Sequence, residues 1–360
     1  MGSEPEVTDV SPAGPSSSRL DAGAPTPAPA GPLLVTGGAG FVGSHAVRVL
    51  HRAGVPVAVL DNLSEGHRDA LPREVPLFEG DLLDPDRLDA VLEAVRPRSI
   101  LHFAALCYVG DSVKEPERYH RVNVGGTRNL VEAARKAGVQ EFVFSSTCAT
   151  YGVPEALPLA EDHPQRPISP YGETKLLAEG VLHEAAAEWG LRIACLRYFN
   201  AAGADPSGAH GEDHRPETHL IPLVLQVALG QRERILIFGD DHATRDGTCE
   251  RDYVHVDDLA DAHLRALHLL QGGTERIACN LGTGTGHTVR EVVEAARFVT
   301  GHPIPAEAAP RREGDPAGLV ADGRHARATL GWVPRRSSLE QILGDAWAWH
   351  RARPDGYGEA

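Results

Sequence analysis

Tyr171 and Lys175 stand four residues apart in "SPYGETKLLAEG". At helical spacing they share one face, one turn apart. A phenol ordinarily titrates near pH ~10, and a neighbouring ammonium favours its ionised form. That pair can act as a general base near neutral pH. A hydroxyl from Thr147, in "SSTCATYG" at residues 145–152, can bond the same substrate oxygen and relay the proton. The next residues, Cys148 and Ala149, cannot move protons at neutral pH. The pattern therefore offers a base and a hydroxyl without an acid beside them.

The elements that must position this group begin at "PLLVTGGAGFVGSHAVRVLHRAG". A short apolar strand, "LLVT", runs into a Gly-rich turn and then a helical pattern with a Gly stop. Gly37, Gly40 and Gly43 permit a tight turn, close approach to a pyrophosphate and helix-on-strand packing. The helix N-terminus, with Phe41 and Val42 in its first turn, then faces the negative charge. Asp61 ends the next strand, "VPVAVLDN", with Asn62 beside it, at the spacing of about 20 residues that a dinucleotide fold requires. A carboxylate there accepts from both ribose hydroxyls and repels a 2′-phosphate, which favours NAD over NADP. Asp81 and Leu82 follow "PLFEG", where Asp81 suits the adenine amino group. Phe103 and Ala104 close "SILHFAA", Asn123 opens a long helix, and "EFVFSS" delivers Ser145 and Thr147 to the same edge. Repeated βα units predict a doubly wound parallel sheet of the Rossmann kind, with ligands at the carboxyl ends of its strands.

Composition narrows the partners. The 360 residues are 42% hydrophobic and carry a net charge of −15, so a nucleic-acid polymer is repelled, whereas a small anion can be held where a few Arg converge. Five scattered cysteines without metal-ligand spacing read as reduced thiols of a cytoplasmic protein. The 18 histidines show no H-E-x-x-H or similar cluster, so structural or surface roles, and no metal, are expected. No apolar run is long enough for a membrane span. Residues 1–31, rich in Pro, Ala, Ser and Gly, read as a disordered tail. Residues 32–200 then form the dinucleotide domain, and 201–357 mainly a substrate domain with segments returning to the first sheet.

"TGGAGFVGSH", "SST" and "PYGETK" resemble the extended short-chain dehydrogenase/reductase family. The resemblance implies a Rossmann domain with a smaller C-terminal substrate domain, NAD as cofactor and a nucleotide sugar as substrate. The 4,6-dehydratases of that family carry an Asp-Glu pair just after the hydroxyl residue; Cys148 and Ala149 occupy those places here. Chemistry should then stop at oxidation of C4, and hydride return gives the C4 epimer. "HFAALCYVGDSVKEP", "LRYFNAAGADPSG", "LIPLVLQVALG", "DGTCERDYVHVDDLADAH" and "APRREGDPAGLVAD" are similar, in order and spacing, to the family's UDP-hexose 4-epimerases over residues 32–357. This implies that Tyr198 and Phe199 border the nicotinamide and that Asn200 contacts the diphosphate or sugar. Leu220 and Phe238 would hold the uracil, Arg251 and Arg312 the diphosphate, and Asp315 the UMP ribose.

Three positions depart from the pattern. Cys107 stands where many such enzymes have Lys, and His219 where an Asn often contacts the phosphate; a neutral His can still donate one hydrogen bond. Leu319 stands where, by the same resemblance, the family varies the side chain beside the sugar's C2 substituent, and where a Tyr would exclude an N-acetyl group. UDP-xylose, UDP-arabinose and UDP-N-acetylhexosamines therefore stay open as substrates beside UDP-galactose and UDP-glucose. A non-catalytic NAD-binding sensor would predict a damaged Tyr/Lys pair, and both residues are intact. The resemblance also implies a homodimer packed through two long helices of each Rossmann domain.

Overall fold

The computed structural model describes residues 20, 22–23, 26–312 and 315–358. Among these, seven parallel strands form the main sheet: β1 (Leu33–Thr36), β2 (Val57–Asp61), β3 (Leu77–Glu79), β4 (Ser99–His102), β5 (Glu141–Thr147), β6 (Arg192–Tyr198) and, after three short strands elsewhere, β10 (Arg276–Leu281). Their order is β10-β6-β5-β4-β1-β2-β3. Strands β1, β4 and β5 are buried along their whole length, so they read as near-continuous apolar runs instead of an alternating pattern. The order reverses at β1, which pairs with both β2 and β4, and that crevice is where such sheets bind ligands.

Helices cover both faces. Phe41–Arg52 and Val256–Gln271 pack on one through Val47, Leu50, Leu259 and Leu267. Pro85–Val95, Gly126–Ala137 and Pro170–Trp189 pack on the other through Leu88, Leu130, Ala134 and Leu182. Each fully buried aliphatic side chain contributes about 1.5–3 kcal/mol. The chain thus leaves the first sheet after β6 and returns to it with Val256–Gln271 and β10.

The intervening and C-terminal segments build the second region. Strands β7 (Asn200–Ala202), β9 (Glu250–His255), β11 (Gly286–Thr288) and β13 (Gly318–Leu319) form a small sheet centred on β9. Strands β8 (Ile235–Phe238) and β12 (Ala306–Ala309) pair in parallel. Helices Leu220–Ala228, Val289–Thr300 and Leu339–Ala352 pack around Ile235 and Tyr253 to give this region its own core. Most of the tail, residues 1–19, 21 and 24–25, lies outside the described residues. Its last stretch runs along Val256–Gln271: Ala30 N–H donates to Gln271 Oε1 at 2.8 Å, and Thr26 bonds Asp261.

Candidate active site

The glycine turn is built by close approach. Gly37 has φ +68°, and a Cβ there would lie 2.4 Å from the Ala104 nitrogen. A Cβ on Gly43 would lie 2.2 Å from the Gly37 carbonyl oxygen, so turn and helix could not meet. Gly40 precedes the Phe41–Arg52 helix, which has neither a side-chain cap nor an acidic residue in its first turn. By contrast, Ser169, Thr288 and Ser338 cap their helices with their own side chains. The open N–H groups at Phe41 and Val42 suit a diphosphate.

Asp61 braces this turn. Its Oδ2 accepts from Ala39 N–H and its Oδ1 from Leu63 N–H, both at 2.9 Å. Burial pushes its carboxyl above the usual range, and the two backbone donors pull against that. Each oxygen keeps a lone pair for a ribose hydroxyl. Asn62 Nδ2 donates to Asp81 Oδ2 at 2.9 Å, placing both at one edge, next to buried Leu82. Ala104 N–H is held by the Thr36 carbonyl, while Phe103 turns its ring against His263, 4.7 Å between centroids, and offers the crevice its backbone. These residues fit NAD: a cradle that a Cβ would fill, an uncapped helix start and a carboxylate at the second strand's end.

The catalytic candidates meet at the ends of β5 and β6. Ser169 caps the Pro170–Trp189 helix, accepting from Gly172 N–H at 3.2 Å, and so sets Tyr171 in its first turn. Thr147 ends β5 close enough to the Tyr171 phenol to favour its ionised form. Lys175 is buried, its Nζ 4.5 Å above the Phe144 ring centroid. Ser145 and the Tyr198 hydroxyl bond each other alongside. Burial dominates Tyr171 and pushes its phenol well above the usual value, with Cys107 and Tyr198 adding to the rise and Thr147 opposing it. Burial also brings Lys175 down to about 8, so it gives up its proton more readily than an exposed lysine. Cys148 is buried as well, its thiol pushed up to about 12, so it stays protonated at neutral pH.

Glu179 and Arg197 hold this arrangement, and the sequence reading missed both. Arg197 donates to Glu179 Oε1 at 2.9 Å and Oε2 at 2.7 Å, and Ser146 donates to Oε1. This buried fork ties the helix of Tyr171 to strands β5 and β6. Glu179 lies four residues beyond Lys175, on the same face, which was the available signal. Asn123 donates to the Leu106 carbonyl at 3.0 Å and to Thr174 Oγ1 at 3.1 Å, so its amide is fixed at the edge of the crevice. It holds the loop that carries exposed Cys107.

The second region brings the remaining candidates toward β5. Register on β9 sets Arg251 opposite Leu319 and Tyr253 opposite Asn200. Leu319 packs on the cluster of Cys148, Tyr151, Leu159, Phe199 and Ala321. Arg251 and Asp315 form an ion pair, and Arg312 lies 3.9 Å from the Phe238 ring centroid. Leu220 opens its helix, partly buried against the second core. His219, partly exposed, turns its Nδ1 toward Glu212 at 2.8 Å and Glu217 at 3.2 Å. His214 joins the same group, making a cluster whose spacing does not follow an H-E-x-x-H pattern.

Residues 33–282 match the NAD dependent epimerase/dehydratase family. The UDP-glucose 4-epimerase of Halalkalibacterium halodurans is 52% identical over 325 residues, 90% of this chain and 97% of that protein. A crystal structure of a UDP-glucose 4-epimerase superposes with TM-score 0.89 at 49% identity, covering 91% of this chain and all of the other. The UDP-glucose 4-epimerase of Brucella ovis, solved in complex with NAD, superposes with TM-score 0.86 at 47% identity, covering 88% and 98%. The chain belongs to the NAD dependent epimerase/dehydratase family.

Proposed function

We propose that this protein is an NAD-dependent UDP-glucose 4-epimerase that interconverts UDP-galactose and UDP-glucose. The observation that carries the reading is the grouping of Thr147, Tyr171 and Lys175 beside a buried, protonated Cys148 and an Ala149. Bound NAD supplies the hydride acceptor for the sugar's C4 and a positive charge that favours the Tyr171 phenolate. Tyr171 Oη takes the O4 proton, with the Thr147 hydroxyl holding the same oxygen. The buried Lys175, drawn down to about 8, replenishes or receives that proton near neutral pH. Cys148 and Ala149 leave no group to remove the C5 proton, so the 4-keto sugar is not dehydrated.

Binding energy is concentrated at the nucleotide end. Arg251 and Arg312 take the diphosphate, Asp315 the ribose, and Leu220 with Phe238 the uracil. The sugar meets Asn200 and the apolar Leu319, weak contacts that let the 4-keto ring swing about its diphosphate link and present its other face. Leu319 is shorter than a Tyr, which supports a second reading: the same site also turns over UDP-N-acetylhexosamines.

Leu177 on the long helix Pro170–Trp189 is 44% exposed, a large apolar group that supports a homodimer packed through the long helices. All five cysteines are free, which supports a cytoplasmic setting. Among the described residues, no helix is long and apolar enough to cross a membrane. The test is anaerobic incubation of the purified protein with UDP-galactose and no added NAD, followed by chromatography. UDP-glucose is expected; absence of any epimer, with or without added NAD, sinks the reading.

A further inference from the structure

Glu212, His214, Glu217 and His219 lie in the connection between β7 and the Leu220–Ala228 helix, and their donor atoms all come within 4.8 Å of one another. Only the His219 side chain, 41% exposed, reaches solvent; those of Glu212, Glu217 and His214 are 4%, 6% and 10% exposed. His214 Nδ1 lies 3.2 Å from Glu212 Oε1 and 3.6 Å from Glu217 Oε2. His219 Nδ1 lies 2.8 Å from Glu212 Oε1 and 3.2 Å from Glu217 Oε1. A tetrahedron around an ion with bonds of about 2.0–2.2 Å has edges of about 3.3–3.6 Å; the 3.6 Å separation has that length, and the others, at 2.8–3.2 Å, would open slightly around an ion.

The directions of the atoms add a second observation. Despite the short separations, Glu212 Oε1, His214 Nδ1 and His219 Nδ1 are buried without a hydrogen-bond partner. They lie together with a Glu217 carboxylate oxygen, all within 4.8 Å of one another. Leaving such groups unpaired in the interior costs about 1–3 kcal/mol each. Two buried carboxylates need positive charge, and a divalent cation supplies it in one ion. Glu217 is further fixed because its Oε1 accepts from Thr218 N–H at 2.7 Å and His219 N–H at 2.8 Å, the outer bonds that orient a metal-binding carboxylate. The Tyr108 hydroxyl, near both imidazoles, donates to Glu65 instead, which leaves four donors.

We propose that Glu212, His214, Glu217 and His219 form a site for a divalent transition-metal ion of the zinc class. Two imidazoles and two carboxylates suit that class over calcium or magnesium, which prefer oxygen ligands throughout. Four protein donors leave no open position, so the ion is structural. It fastens residues 212–219 between the regions: the His214 ring meets Phe41 of the glycine turn edge-on at 6.4 Å, and His219 directly precedes the Leu220–Ala228 helix. The exposed edge of His219 is the entry path.

The experiment uses the full-length, NAD-loaded protein with any affinity tag removed. Elemental analysis should find about one zinc-class ion per chain. After chelator stripping, added Zn²⁺ should raise the melting temperature, and added Co²⁺ should give the strong visible absorption of a tetrahedral site. His219→Ala, the most exposed ligand, should weaken Zn²⁺ binding by at least about 10- to 100-fold. His214→Ala with Glu217→Gln should abolish the cobalt bands. Should that double variant fail to fold, uptake by the native chain and by His219→Ala still decides. Native protein that takes up neither Zn²⁺ nor Co²⁺ after stripping overturns the site, and the cluster is then a pair of imidazolium–carboxylate ion pairs. Unchanged uptake in His219→Ala or the folded double variant overturns it equally.

Discussion

The crevice on the dinucleotide side and the cleft on the uridine side handle their polar groups in opposite ways. In the first, the side chains are already locked by the chain. Asp61 holds two backbone N–H groups, Asn62 holds Asp81, Asn123 holds Leu106 and Thr174, and Glu179 holds Arg197. In the second, the charged groups hold partners that a ligand can replace: Arg251 pairs with Asp315, and Arg312 stacks on Phe238. A cofactor that stays bound through many turnovers suits a fixed cradle. A substrate that comes and goes suits groups that exchange a neighbour for a ligand, because the exchange keeps each charge compensated in both states.

The contrast can be broken by substitution. Tyr171→Phe removes the proposed base, and kcat should fall by about 10²- to 10⁴-fold while NAD content stays unchanged. Normal turnover in that variant would mean the fixed side does not hold the base. Glu179→Gln strands a buried guanidinium, so chemical denaturation should show a loss of about 3–5 kcal/mol. A loss under 1 kcal/mol would show that the fork does not fasten the helix.

On the exchanging side, Arg312→Ala should raise KM for UDP-galactose by about 10- to 100-fold, or roughly 1.5–3 kcal/mol, with kcat nearly unchanged. A fall in kcat instead would place Arg312 in the chemistry. The smallest effect concerns His102 at the end of β4. It bonds Thr36 and Thr127, and burial lowers its pKa to about 3. Between that value and its unfolded value near ~6.5, the unfolded chain binds the extra proton, so stability falls as pH falls through that window. From pH 7 to pH 5 the native chain should lose about 2 kcal/mol more than His102→Asn, read from denaturant midpoints at each pH.

Legibility in the sequence follows the same divide. The glycine turn, Asp61 and the Tyr171–Lys175 spacing are local patterns, each set within one strand, turn or helix. The direction of the Tyr171 shift was not legible, because burial among Thr147, Tyr198 and Cys107 arises from three separate segments. The Arg251–Asp315 pair joins residues 64 apart, and the place of Leu319 depends on the register of β13 against β9. The Glu212–His219 cluster is compact in sequence, but its E-x-H-x-x-E-x-H spacing lies on a loop and follows no helical or strand period. Only folding shows that its four donors converge.

The central claim is that the hydroxyl of Thr147 and the base Tyr171 act without an acid–base pair for the C5 proton. It is tested most directly by running the reaction in D₂O with UDP-galactose and measuring the mass of the product. The expected product is UDP-glucose with no deuterium on carbon, because the hydride that leaves C4 is the one that returns. Deuterium at C5, or a 4-keto-6-deoxy product, would contradict it, since either requires a group that removes the C5 proton.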